Sequence, residues 1–426
     1  MKWKVLPSKL SGSIVVPPSK SHTIRALLIA SLAHGVSRIV RPLTSGDGAS
    51  AIGAARTLGA LVEEHDDALQ VTGMAGDFSR GGPAFDMGNS GTSTNLFTTA
   101  AALGGRARRF DGDSSLRQRP VRPLLEALGK IGAFYSFETP GRDLPFSIQG
   151  PLTGGETTVN GISSQFISSL LLSCPLIRGD TDIHVSNIHE RPYIDLTLWW
   201  LDKFDIRYEK SNDYSLFHVY GGQSYRPIDM AIPGDFSSAA FPAVAAAVTG
   251  CSLDIKGIDF SDPQGDKGIF DVLGAAGVIV HKDRLSATIA PSPRIMGADI
   301  DLNTMPDALP VAAVLGCAAR GTTHIVNVAH ARIKETDRIA VMTRELTKMG
   351  AFITEEKDGL TIRQSRLTGA RVDGHGDHRV VMALAIAGMI AEGETVIDTA
   401  ESAAVTYPGF LEDFARIGAR ISIAEE

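Results

Sequence analysis

Apolar and polar positions along this chain fall into one arrangement that returns six times. A stretch with apolar residues at helical spacing, such as Pro123–Lys130 or Ile339–Met349, ends in a Gly-Ala step or a variant of it. Two strand-like runs then flank a polar turn, as Ala351–Thr354 and Leu360–Arg363 do around Lys357-Asp358-Gly359. The copies are LGALVEEHDDALQVTG, IGAFYSFETPGRDLPFSIQG, FDIRYEKSNDYSLFHVYG, AGVIVHKDRLSATIAP, MGAFITEEKDGLTIRQ and IGARISIAEE. Their anchors, Gly59, Gly132, Asp205, Gly277, Gly350 and Gly418, lie 73, 73, 72, 73 and 68 residues apart. Glycine at the anchor suits a helix C-terminus, where φ is often positive. A period of about 70 residues is too long for a thin solenoid. The simpler packing is two globular halves of three α/β units each. Pro233-Gly234, near the midpoint, reads as a hinge, and the piece from Met1 to about Pro17 could pair with either half.

Composition narrows the function. The length of 426 residues allows two or three domains, each with a real core. A formal net charge of −7 argues against a general nucleic-acid binder, which would carry a basic excess, but not against a small anionic ligand. Cys174, Cys251 and Cys317 sit in apolar stretches without CxxC spacing, which points to a reducing, cytoplasmic setting. Met1 to Ser13 carries no signal-peptide core, and stretches such as Ala308–Ala319 are too short to span a bilayer, so no membrane role is expected.

Segments suited to anions lie between the anchors. Pro17-Pro18-Ser19-Lys20-Ser21-His22-Thr23-Ile24-Arg25 leads into the apolar run Ala26–Ala33, where Ser19 or Ser21 can cap a helix and Lys20 can face an anion. Taken alone, a capped helix with a solvated lysine is the simpler reading. Gly88-Asn89-Ser90-Gly91-Thr92-Ser93 allows close backbone approach at another helix start. Arg117 and Arg119 precede a proline-led helix, and arginine is the natural bidentate partner of carboxylate and phosphate. Ser163, Ser164 and Gln165 offer neutral hydrogen bonds, or plain capping. In Ile333-Lys334-Glu335-Thr336-Asp337-Arg338-Ile339, Lys334 and Arg338 are expected as i,i+4 neighbours on one helix face, a like-charge cost that an anion over them would offset. Gly374-His375-Gly376-Asp377-His378-Arg379 reads better as an arginine at a glycine-opened helix start than as a metal site. Cation-bearing helix starts recur once per repeat. That suggests helix N-termini gathered toward one cleft, a positive well in an acidic protein.

The motifs PSKSHTIRALLIASL, GNSGT, SLRQRPV, SSQF, RPYIDLTL, PGDFSSAAF, PDALP, RIKETDRI and GDHRVVMALAIAG, in this order, resemble the 5-enolpyruvylshikimate-3-phosphate synthases, a family of enolpyruvyl transferases, over nearly the whole chain. The resemblance implies an α/β fold of two domains, each built of three βαβαββ units as an inside-out α/β barrel, with the active site in the inter-domain cleft. The expected domains are residues 18–233, and residues 234–426 completed by the N-terminal segment 1–17. It implies transfer of the carboxyvinyl group of phosphoenolpyruvate to the 5-hydroxyl of shikimate 3-phosphate, by addition and elimination, with release of phosphate. It implies no metal and no organic cofactor, two small-molecule substrates as the only partners, and the family's usual monomer.

Residue by residue, the resemblance assigns Lys20, Gly91, Arg117, Gln165, Arg338 and Arg379 to phosphoenolpyruvate. It assigns Ser21, Arg25, Ser163, Ser164, Gln165, Arg191, Tyr193, Asp307 and Lys334 to shikimate 3-phosphate. Lys20, Asp307 and Glu335 become the acid/base candidates, with Asp307 taking the acceptor proton and Glu335 serving the enol carbon. Four positions depart from the family pattern. Val405 stands where the family has a lysine, Asn95 replaces an arginine, Glu190 replaces a serine at the substrate phosphate, and His330 replaces Asn or Glu. A carboxylate beside a phosphate costs energy unless Glu190 turns away or pairs with Arg191. A divergent working synthase is the favoured reading. A sister enzyme with another alcohol acceptor and a weak anion-binding homologue are the alternatives, and retention of Lys20, Asp307, Glu335, Arg338 and Arg379 argues against the last.

Overall fold

The computed structural model of the chain describes residues 1–424. Its strands form six four-stranded sheets that share one plan. In the repeat beginning at Ala84, strand Ala84–Asp86 runs parallel to Arg108–Asp111. Arg108–Asp111 is antiparallel to Phe146–Gln149, which is antiparallel to Phe134–Phe137. Helices Gly91–Ala101 and Arg122–Lys130 join the first three strands, so the unit reads βαβαββ. The anchors end the second helix of each unit, and all six have positive φ, from 57° at Asp205 to 128° at Gly59. Five use glycine, which accepts that conformation without a Cβ clash; Asp205 belongs to one of the other residue types that reach it at modest cost.

Three strands depart from chain order. Asp229–Ala231 supplies the first strand of the sheet holding Val36–Val40. Ser13–Val15 does the same for the sheet holding Leu253–Lys256. Trp3–Leu6 lies between Thr395–Asp398 and Arg420–Ile423, antiparallel to both, and so supplies the strand that the last repeat lacks. The chain divides into two compact units, Pro18–Ile232, and Met1–Pro17 with Pro233–Glu426, and the N-terminal piece therefore pairs with the second half.

Within each unit the two helices of a repeat behave differently. The first helices, Lys20–Leu32, Gly91–Ala101 and Ser164–Ser173 in one unit and Phe236–Thr249, Leu309–Ala318 and His378–Ile390 in the other, are buried nearly all round. A helix that is apolar on every side belongs in an interior. These helices pack on one another at the centre of their own unit, inside the sheets. Truncating one of their buried leucines to alanine removes apolar area and leaves a cavity, at about 2–5 kcal/mol. The second helices, such as Arg122–Lys130 and Arg338–Lys348, keep one polar face outward.

Candidate active site

The buried helices of the 18–232 unit run parallel and in register. Gln165 donates to the Thr92 hydroxyl at 3.1 Å, and Ser169 bonds the Asn95 carbonyl and the Thr99 hydroxyl one turn on. Arg25 reaches Ser168 in the same sense. Parallel register brings the first turns, with Lys20, Gly91 and Ser164, to one end of the unit. Ser19, Ser90 and Ser163 cap them, each accepting from a first-turn amide.

At that end Lys20 is buried and pairs with Asp47, Nζ to Oδ2 3.0 Å. The Asp47 carbonyl accepts from Ser93, in the first turn of the Gly91 helix. Gly91 leaves room for Arg119: a Cβ there would stand 3.1 Å from Arg119 Nη1. Arg119 also donates to the Asn89 side chain. Arg117 points elsewhere. It forms a two-point ion pair with Asp111, both contacts 2.8 Å, and its side chain is 42% exposed. The arginine beside Gly91 is thus Arg119 and not Arg117. The reason is local: Leu116–Gln118 is a single 3₁₀ turn, and residues two apart there face different ways.

Arg25 is fully buried, and its four hydrogen bonds go to neutral oxygens: the Thr197 and Ser168 hydroxyls and the Ser21 and Tyr193 carbonyls. Burial pushes its pKa down to about 9, partly offset by Tyr193, so it stays charged at neutral pH. Gln165 accepts from Asn95 Nδ2 at 2.7 Å, so Asn95 fixes the glutamine's orientation. Glu190 neither turns away nor pairs with Arg191. It is buried in a left-handed conformation, φ 54° and ψ 41°. Its Oε2 accepts from the Ser164 hydroxyl at 2.8 Å and from the Ser164 amide at 3.4 Å. Arg191 is exposed, lies over the Tyr214 ring and donates to the Asp213 carbonyl.

In the unit containing 233–426, a second cluster forms around Arg338. This guanidinium is 1% exposed and reaches Asp377, Asp307 and Glu335, each at 2.7 Å. Arg379, equally buried, holds the other Asp307 oxygen at 2.9 Å. Burial opposes the charge on Arg338, but Asp377, Glu335 and Asp307 outweigh it and hold its pKa well above the ordinary value. Burial likewise opposes charge on Asp377, and Arg338 outweighs that and keeps the carboxyl below its usual range. Asp377 also caps the helix His378–Ile390 through the Arg379 amide and accepts from the Thr336 hydroxyl. It therefore aims the Arg338 guanidinium directly and fixes Arg379 through its backbone.

The expectation that Lys334 and Arg338 share a helix face is overturned. Ala329–Ile333 is a 3₁₀ turn, Lys334 ends it, and the α-helix begins only at Arg338. Asp337 stops the helix there by accepting from the Ala340 amide, and it pairs with Arg332, whose guanidinium is tied to the hairpin carbonyl of Lys357. Sequence reasoning left Asp47, Arg119 and Asp377 off the site. Asp377 carried a visible signal, an aspartate directly before an apolar helical run. Among the described residues, no group of three or more His, Cys, Asp or Glu side chains could hold a metal ion, and no helix is long and apolar enough to cross a membrane.

Comparison with known proteins adds the family. Residues 5–414 match the model of EPSP synthase, 3-phosphoshikimate 1-carboxyvinyltransferase. The 3-phosphoshikimate 1-carboxyvinyltransferase of Acetivibrio thermocellus is 50% identical over 426 residues, all of both chains. That of Ruminiclostridium cellulolyticum is 46% identical over 99% of this chain and 100% of its own. Among solved structures, an EPSP synthase from Acinetobacter baumannii superposes with a TM-score of 0.84 at 25% identity, covering 100% of both chains.

Proposed function

This chain belongs to the EPSP synthase family, and from that premise we propose how its two clusters divide the reaction. It transfers the enolpyruvyl group of phosphoenolpyruvate to the 5-hydroxyl of shikimate 3-phosphate and releases phosphate. The methylene carbon of phosphoenolpyruvate takes a proton, and C2 becomes electrophilic. The acceptor oxygen bonds to C2 and gives up its own proton. The tetrahedral adduct then breaks its C2–O bond to phosphate and returns a proton from the methyl carbon, restoring the double bond.

Both substrates are polyanions, so fixed cations supply most of the alignment and charge stabilisation. The observation that carries our division of roles is Asp307, held at 2.7 and 2.9 Å by two buried guanidiniums. A carboxylate so fixed is a base of defined position beside the phosphoenolpyruvate clamp. Asp307 takes the acceptor proton, and Glu335, 2.7 Å from Arg338, serves the methylene carbon. Lys20, Gly91, Arg119, Gln165, Arg338 and Arg379 hold phosphoenolpyruvate, with Arg119 in place of Arg117. Ser21, Arg25, Ser163, Ser164, Tyr193 and Lys334 hold the acceptor, and Arg191 is left out. No step calls for a metal or organic cofactor. We read the working form as a cytoplasmic monomer, which light scattering on the purified protein tests for mass.

Phosphate release from phosphoenolpyruvate, measured with shikimate 3-phosphate and with unphosphorylated shikimate, tests the acceptor. Turnover with the first alone is expected; turnover only with another alcohol would assign the chain to a sister reaction.

A further inference from the structure

Glu190 places a carboxylate on an anion seat inside the protein. The seat is the first turn of Ser164–Ser173, where the Ser164 amide and hydroxyl point at a single Glu190 oxygen. One turn along the same helix, Ser168 accepts from Arg25, whose other bonds bridge to Thr197 and the Tyr193 carbonyl in the helix that Glu190 itself begins. Two helix starts and one carboxylate thus meet at Ser164, one helical turn from Ser168, which holds a buried guanidinium satisfied by neutral oxygens. A helix N-terminus and a buried cation both favour a negative group, and Glu190 supplies one.

We propose that Glu190 is a built-in stand-in for the phosphate of the acceptor: it fills the Ser164 seat in the free protein and is displaced when that phosphate arrives. This rests on the proposed assignment of Ser164 to the acceptor and takes the acceptor's phosphate as the group that Ser164 receives. Two anions cannot share one amide and one hydroxyl, so binding includes the work of moving Glu190 off them. The residue then sets acceptor affinity without touching phosphoenolpyruvate. It also keeps the buried donors of Ser164 satisfied when no acceptor is bound, which a smaller residue would leave to water.

Three variants of the full chain test this. Glu190→Ser removes the stand-in, Glu190→Gln keeps its shape without its charge, and Ser164→Ala removes the seat's hydroxyl. The expected result is a KM for shikimate 3-phosphate about tenfold lower in Glu190→Ser and severalfold lower in Glu190→Gln, with the KM for phosphoenolpyruvate within about twofold. Inorganic phosphate should compete with the acceptor more strongly in both. Unphosphorylated shikimate should gain nothing. An unchanged or raised acceptor KM in Glu190→Gln overturns the proposal, even if Glu190→Ser fails to fold. Ser164→Ala separates the two levels. If it leaves the acceptor KM unchanged, the assignment of the seat is wrong. If it raises that KM while the Glu190 variants do not lower it, the assignment stands and only the stand-in role falls.

Discussion

The two clusters solve the same electrostatic problem in opposite ways. Around Arg338 and Arg379, buried cations are held by three buried or nearly buried carboxylates, Asp307, Glu335 and Asp377. Around Arg25, the buried cation is held by hydroxyls and carbonyls. The first arrangement fixes geometry. Each group is locked by opposite charge, and losing one leaves an unbalanced charge in the interior. The second is softer, because neutral dipoles leave the cation's field largely uncancelled for an incoming anion. One cluster is suited to chemistry, where a base must not wander; the other is suited to capture.

The largest effect should follow from breaking the charge lattice at Asp377. Asp377→Ala removes a helix cap and two contacts to Arg338, and should destabilise the protein by about 3–5 kcal/mol. Asp377→Asn keeps the cap and the shape but loses the charge, and should lower kcat by at least about a hundredfold while the protein still folds. Thermal unfolding with steady-state kinetics separates the two. Equal kcat in Asp377→Asn and the parent would mean that the lattice does not aim the arginines. By contrast, Arg25→Lys in the softer cluster should mainly raise the acceptor KM, because lysine cannot reproduce four directed bonds.

A smaller effect distinguishes the two arginines of the SLRQRP segment. Arg119→Ala should lower kcat/KM for phosphoenolpyruvate by about a hundredfold, through loss of one fixed cation. Arg117→Ala, which breaks only a half-exposed pair with Asp111, should change it by less than about threefold. The reverse ranking would restore Arg117 to the clamp.

That pair also shows how much of the molecule was legible in its residues. The repeat, the helix ends and the serine-capped helix starts were legible because they depend on local chemistry. A glycine, or an aspartate such as Asp205, accepts positive φ, and a serine or aspartate caps a first turn. Which of Arg117 and Arg119 faces Gly91 depends on one 3₁₀ turn and on Asp111, a strand residue that draws Arg117 away. The same limit hid the true start of the Arg338 helix, because charge spacing alone fits a longer helix and only Arg332, tied to the hairpin, shows why Asp337 is the cap. Carboxylates that hold a site cation, Asp47 and Asp377, were missed because motif reading favours groups that touch a ligand. Glu190 was legible as an anomaly but not in direction, since its left-handed backbone is what turns the carboxylate onto Ser164.

Outside the lattice, Glu345 offers a smaller test of how far charge fixes this region. Its side chain is buried in the helix that Arg338 begins. Burial disfavours its charge, but hydrogen bonds from Lys348, His375, the Asp373 amide and Arg344 outweigh it and hold its carboxyl down to about 2. A carboxyl depressed in the folded state adds stability above its unfolded value of 4.5 and loses it as pH falls toward 2. Glu345→Gln should therefore remove about 2 kcal/mol at pH 7 and flatten the acid limb of the stability curve in that window, allowing for solvent screening of the partly exposed Lys348 and Arg344. Denaturant midpoints across pH 2–7 check both. Because His375 sits in the segment leading to Asp377, a parallel loss of kcat would extend the rigid cluster outward to Glu345.

The mildest change concerns Val405, where the family resemblance leads us to expect a lysine. Val405 ends the short turn Ala400–Val405, which packs on the helix that carries Arg379 in its first turn. It is half-buried, so a lysine there can keep its stem against the turn and extend its ammonium toward solvent or ligand. Two effects oppose each other. An added cation attracts a polyanion, and the same cation repels Arg379 in the helix on which the turn packs. The attraction acts on a phosphate or carboxylate of charge −1 to −2, while the repulsion is met by Asp307, which already partners Arg379. Attraction should win by about 1 kcal/mol, so Val405→Lys should lower the KM for phosphoenolpyruvate by roughly fivefold and leave that for the acceptor unchanged. If the KM for phosphoenolpyruvate does not move, Lys20, Arg119, Arg338 and Arg379 already complete the clamp. The rigid cluster would then be saturated with charge, and tighter binding would have to come from the softer one around Arg25.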